Sequence, residues 1–218
     1  MLANKLNVLL AERQLTIKEV VEDTGLSRNS ISNISNNVKA NISTETIDIL
    51  CNYLGISPNE FFDYAPLMLN LAFSKNEYDC FIEVKTKQKR KEYNYAYKFI
   101  SKNKDDPEIN EQRNKNYDIY IDVYTDENPD SFLNIYRTLP VGFQTDINKA
   151  FIETIEKALN SDIRDNLKVL TFDYNSKNTS FMDLVKSINK AKMSLSITLP
   201  WIDITKELNF KNNIFIIK

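Results

Sequence analysis

The chain of 218 residues contains no histidine. Without an imidazole there is no Ser-His-Asp or Cys-His constellation for acyl transfer and no HExxH helix to hold zinc, so most hydrolytic readings fall at once. Glycine is nearly as scarce: Gly25, Gly55 and Gly142 are the only three, which leaves little material for glycine-built sites. The two cysteines, Cys51 and Cys80, fall on an inward helix position and an alternating strand position. A small core thiol explains both better than a metal ligand or a disulfide. No apolar run approaches the roughly 18 residues of a membrane span, and no charged-then-apolar leader opens the chain. The expectation is a cytoplasmic protein without a membrane partner.

What the chain does have is concentrated at residues 16–36, TIKEVVEDTGLSRNSISNISN. Ile17, Val20 and Val21, then Leu26, Ile31 and Ile34, mark two short amphipathic helices joined at Gly25, the grammar of a helix-turn-helix. Ser27 precedes the second helix and reads as its N-cap. With Ile31 and Ile34 pointing inward, the 3.6-residue period turns Arg28, Asn29, Ser32, Asn33 and Asn36 to one outer face. Solvated faces usually carry Lys and Glu. One Arg with Asn and Ser instead supplies side chains that hydrogen-bond base edges and phosphates, so Arg28, Asn29, Ser32 and Asn33 are the candidate base contacts.

Residues 4–64 resemble the DNA-binding domain of the Cro/CI repressor class, the XRE family of helix-turn-helix regulators. The resemblance is carried by Leu15 and Thr16, Glu19, Gly25, Leu26 and Ser27, the SIS at 30–32, and LGISPNEFF at 54–62. It covers a little over a quarter of the chain and implies an all-α five-helix, lambda-repressor-like domain that binds a double-stranded DNA operator. It also implies backbone contacts from Thr16, Lys18, Ser27, Ser30, Asn36 and Lys39. Two departures bear on the site. Ile17 stands where members commonly carry glutamine, at a phosphate contact, and Ser35, Asn36 and Asn37 replace Glu-Asn-Gly after the recognition helix. Asn37 is expected to adopt the left-handed conformation that glycine supplies.

The remaining helices of this domain are expected at 3–13, at 44–54 behind Ser43, and as a short fifth turn opened by Ser57 and Pro58. Residues 1–65 hold five basic and eight acidic side chains, a net charge of −3. A DNA binder of that charge needs its cations gathered on the docking face, with Arg28 and Lys39 there and Lys5 and Arg13 as further candidates. It should neutralise few phosphates per monomer and depend on pairing for tight binding.

Length predicts two domains, 1–65 for DNA binding and 66–218 for dimerisation or effector reception, the latter α+β with a mainly antiparallel sheet. Period-two alternation predicts strands at 78–86, 93–100 and 117–125, with a long hydrophilic loop at 101–116. A helix is expected at 144–160 with Ile147, Phe151, Ile155 and Leu159 in one stripe. A strand at 168–173, a helix at 180–191 and strands at 194–199 and 213–217 follow.

Three stretches of this half could carry chemistry. Glu83 and Lys85 form the E-x-K of metal-dependent nucleases, with Asp63 or Asp79 as a second carboxylate, but alternation puts both on one strand face in any case. The run KTKQKRK at 85–91 offers a secondary DNA contact, while charge at a hairpin end more often serves solubility. Asp118, Asp122, Asp126 and Glu127 make a carboxylate row that solvent-facing strand positions explain better than a cation site. No Ala-Gly cleavage site or Ser-Met nucleophile turn marks a self-cleaving domain. The expectation is therefore no enzyme, no catalytic residue, no cofactor and no metal.

The reading that results is a homodimeric, sequence-specific repressor of a phage or mobile element, in which the second domain pairs two copies and receives a signal or an antirepressor protein. The alternative is an antitoxin-type interaction protein that regulates its own operon through the same helices.

Overall fold

The computed structural model describes residues 1–76, 79–103, 117–161, 169–170 and 180–218. The chain divides into two compact units, Met1–Leu67 with Pro140–Phe143, and Met68–Leu139 with Gln144–Lys218.

In the first unit, helices Leu6–Glu12 (α1), Ile17–Thr24 (α2), Arg28–Asn36 (α3) and Thr44–Leu54 (α4) enclose one core. Leu6, Leu9, Leu10, Val20, Ile31, Ile34, Leu50, Cys51, Leu54 and Phe61 are buried together there. Local chemistry fixes the ends. Thr16 caps α2, Ser27 caps α3 and Ser43 caps α4, each accepting from the amide three residues on. Gly25 and Gly55 close α2 and α4 in the left-handed conformation, at φ of 72° and 66°. The expected all-α five-helix description needs correcting. After α4 only a single turn, Pro58–Phe61 (α5), remains, and the unit contains a sheet: strand Leu2–Asn4 (β1) pairs antiparallel with Phe62–Tyr64 (β2). The first helix starts later than expected for the same reason, because residues 2–4 are extended to meet a strand some sixty residues away.

Among the described residues, the second unit is built on one eight-stranded sheet. Its strands are Met68–Lys75 (β3), Cys80–Gln88 (β4), Lys91–Asn103 (β5), Ile119–Tyr124 (β6), Val169–Leu170 (β7), Lys192–Leu199 (β8), Ile202–Lys211 (β9) and Ile214–Ile217 (β10). The order is β10-β9-β8-β6-β5-β4-β3, with β7 on the far end of β5. Neighbours run antiparallel except β6 with β8 and β5 with β7. The described residues of the unit also form helices Ser131–Thr138 (α6) and Phe181–Ile188 (α8) and, from Gln144 on, most of Val141–Leu159 (α7). The expected stripe of α7, Ile147, Phe151, Ile155 and Leu159, lies in the core with Ile82, Val84, Tyr97, Phe99, Ile121, Leu195 and Ile197.

Sequence periodicity found β4, β5, β6, β8, β10, α7 and α8 and overlooked β3, β9 and α6. Of the loop expected at 101–116, residues 101–103 continue strand β5, and residues 104–116 lie outside the described residues. Of the strand expected at 168–173, Val169–Leu170 are described and are strand. Among the described residues, no helix is long and apolar enough to cross a membrane.

Candidate nucleic-acid interface

The recognition helix α3 is set by its two faces. Ile31 and Ile34 are buried at 0% and 4% exposure and fix which side looks inward. Arg28, Asn29, Asn33 and Asn36 are then exposed and Ser32 half-exposed. None of these five side chains makes a hydrogen bond or ion pair among the described residues. Their donors and acceptors are uncommitted, as a surface that reads a ligand requires.

The candidate backbone-contact residues behave differently. Ser27 Oγ accepts from the Ser30 amide at 3.1 Å, and the two hydroxyls lie 2.9 Å apart. Thr16 Oγ1 accepts from the Glu19 amide at 3.3 Å, while its own O–H and its amide both donate to Glu19 Oε2 at 2.8 Å. The Thr16 amide, then its hydroxyl, hold the Glu19 carboxyl below its usual range. Lys18 sits 3.6 Å from Glu22 in an exposed i,i+4 pair. Asn36 and Lys39 are exposed. Thr16, Ser27 and Ser30 thus already hold helix ends, and a phosphate would share or displace those bonds. The backbone N–H groups at the starts of α2 and α3 point outward with the helix dipole behind them.

The end of α3 departs from expectation. Asn37 is extended, at φ −123°, and not left-handed. Its amide bonds back to Asn33 at 2.9 Å, its Oδ1 accepts from the Lys39 amide at 3.1 Å, and its carbonyl accepts from Ala40 at 2.9 Å. An asparagine can terminate a helix through this local side-chain turn without the αL geometry that glycine would supply.

Asn4, which sequence reasoning did not single out, anchors the same end. It is buried at 4% exposure. Its Nδ2 donates to the Asn37 carbonyl at 3.0 Å, its amide to the Val38 carbonyl at 2.8 Å, and its Oδ1 accepts from the Leu6 amide at 3.1 Å. One side chain therefore ties the first strand, the start of α1 and the loop after the recognition helix. Its only trace in the sequence is a polar residue among Leu2, Ala3 and Leu6.

The distribution of charge also becomes specific. Lys5 lies 3.6 Å from Asp63, and Arg13 lies 3.8 Å from Glu12, so these two cations are drawn to acids and add less to a docking face than expected. Arg28 has no acidic partner among the described residues.

Most of the carboxylates weighed for chemistry lie in pairs. Glu83 and Lys85 lie 3.6 Å apart on the exposed face of β4, and Asp79 lies 3.8 Å from Lys98. Asp118, Asp122 and Asp126 do not form a solvent-facing row. Asp122 is buried and 3.0 Å from the buried Lys102, and Asp126 is 3.0 Å from Lys98. Asp118 takes Lys190 Nζ at 2.7 Å with the Ser194 amide and hydroxyl. Partial burial pushes the Asp118 carboxyl up, but these bonds outweigh it and hold the group below its usual range. No group of three His, Cys, Asp or Glu among the described residues could hold a metal ion.

Comparison with known proteins bears on the first unit. Residues 5–66 match the family model of the Cro/C1-type HTH DNA-binding domain. A crystal structure of a Bacteroides fragilis protein provisionally named as DNA-binding is 30% identical over 29% of this chain and 100% of its own, with a TM-score of 0.27. No curated protein matches the chain. The family match coincides with α1 to α5 and with the exposed polar face of α3, so residues 5–66 are a helix-turn-helix DNA-binding domain of the Cro/C1 type.

Proposed function

We propose that the protein is a sequence-specific, double-stranded-DNA-binding transcriptional regulator, a dimeric repressor of a phage or mobile element that acts in the cytoplasm and catalyses no reaction. The observation that carries this reading is the row of uncommitted side chains on the exposed face of α3. In the major groove Arg28 pairs with a guanine through O6 and N7, and Asn29 or Asn33 with an adenine through N6 and N7, while Ser32 contacts either. Lys18, Asn36 and Lys39, with the amides behind Thr16, Ser27 and Ser30, hold the phosphates that set register.

Pairing follows from geometry and charge. One helix-turn-helix reads one half-site, and a domain with a net charge of −3 gains little from phosphates alone. Residues 66–218 supply the two-fold contact and receive the inducing signal, an antirepressor or inducer protein. The test is a mass-resolved titration of the full chain, and of residues 1–65, onto DNA from upstream of its own gene. Expected is a full-length dimer on two half-sites about 34 Å apart, with the fragment binding far more weakly. Equal affinity of the full chain for that DNA and for random duplex of the same length would sink the proposal.

A further inference from the structure

Strand β5 has an open edge inside the sheet. On one side it pairs with β4 from Phe81↔Lys98 to Gln88↔Lys91. On the other, β6 pairs only from Lys98↔Tyr124 to Asn103↔Ile119. From Lys91 to Tyr97 no strand flanks that second side among the described residues. The chain leaving Tyr124 leaves the ladder and is tied to β5 by side chains only: Asp126 is held 3.0 Å from Lys98, and Asp130 accepts from the buried Tyr97 hydroxyl at 2.9 Å before capping α6. Between the bare edge and this diverging segment lies a groove of about 640 Å³, with Tyr93, Asn94 and Tyr95 on one wall and Glu127, Ser131 and Ile135 on the other.

We propose that this groove docks an extended peptide segment of a partner protein, which adds itself to β5 as a further strand and carries a lysine or arginine side chain. The open edge supplies alternating N–H and C=O groups with no ladder partner, the requirement for strand addition. Charge selects the occupant. The groove is lined by Glu92 and Glu127 and by no basic residue. Glu92 shares the distant end of Lys87 at 3.3 Å, while the Glu127 carboxylate has no cation among the described residues. The ring of Tyr93, 41% exposed, offers a face on which a cationic side chain settles, next to the half-buried Tyr95. An acidic segment would meet two carboxylates.

The inference rests on assigning residues 66–218 to partner reception and is independent of what α3 reads. Its test uses the full chain and a labelled, end-blocked heptapeptide of alternating valine and lysine, with amide resonances of 91–97 followed by NMR and affinity by anisotropy. Saturable binding that perturbs those amides is expected, weakened at least about tenfold by E92K with E127K and by a valine–glutamate peptide. The peptide N-methylated at alternate residues should not bind, since it lacks the ladder donors. Equal binding of the N-methylated or the glutamate peptide would overturn the proposal. So would protection of the 91–97 amides in peptide-free protein that dilution removes, which would give the edge to a second copy. Duplex binding measured in the same preparation separates failure here from failure of the DNA reading.

Discussion

The polar groups of the two units are used in opposite ways. In the second unit the notable ones are spent inside the molecule: Lys102 on Asp122, Lys190 and Ser194 on Asp118, Tyr97 on Asp130. Asn148 Oδ1 accepts from both Tyr136 and Trp201, whose rings stack at 4.4 Å. On α3 of the first unit, Arg28, Asn29 and Asn33 stand exposed and unspent. A second helix makes the contrast sharper. Like α3, α8 is capped by a serine and buries one face, but its outer face shows Asp183 and Lys186, with Asp183 bonded back to Ser180 in a capping box. The same local physics builds both helices, and only the outward side chains separate a reading surface from a solvated one.

Breaking a paired group in the second unit should produce the largest effect. Lys102→Ala removes the cation 3.0 Å from the buried Asp122 and is expected to destabilise that unit by about 3–5 kcal/mol in chemical denaturation, with Lys102→Met/Asp122→Leu recovering much of the loss. Recovery by the double variant would show that the loss comes from breaking the charged pair and not from packing alone. Next comes the hidden anchor of the reading surface. Asn4→Ala removes the partner of the Asn37 carbonyl and the Leu6 amide, so the first unit should lose about 1–3 kcal/mol, and operator affinity should fall with it as the end of α3 loosens. A variant that unfolds earlier yet binds DNA unchanged would show that Asn4 does not position the helix.

Acid should have the smallest effect. Glu19 and Asp183 in their capping boxes, and Glu60 accepting from the Ser57 amide and hydroxyl, are held below the usual carboxylate range by those bonds. Groups with depressed folded-state values add stability that is present above their unfolded values, about 4, and lost as pH falls through the folded ones. Thermal unfolding should therefore be level from these groups at neutral pH and decline below about pH 4, with Glu19→Gln flattening part of that decline. An unchanged profile in Glu19→Gln would remove the capping box as its cause.

How far the sequence anticipated this structure depended on the range of the interaction. Caps and turns are local, so Ser27, Ser43, Gly25 and Gly55 could be read directly, as could the inward Ile31 and Ile34. The pairing of Leu2–Asn4 with Phe62–Tyr64 involves three residues on each side and leaves no periodic trace. Strand β3 does alternate, with Leu69, Leu71 and Phe73 turned to the core and Asn70 and Ala72 outward, so its period-two signal was present in the sequence and was overlooked. Asp122 looked solvent-facing because Lys102 reaches it only through the register of β5 on β6. The outer face of α3 was legible because helical period alone decides it. The commitment of Thr16, Ser27 and Ser30 to helix ends is a matter of individual hydrogen bonds, which spacing suggests for Ser27 and, through the T-x-x-E of Thr16 and Glu19, for Thr16, and leaves open for Ser30.

Base reading by Arg28 is decided by measuring wild type and Arg28→Ala against every single-base substitution of the operator. Expected are a fold unchanged in thermal unfolding and a loss of about 1–3 kcal/mol confined to one base position per half-site, where the variant no longer discriminates. A uniform loss across all sequences, random duplex included, would contradict it and reduce Arg28 to a phosphate contact.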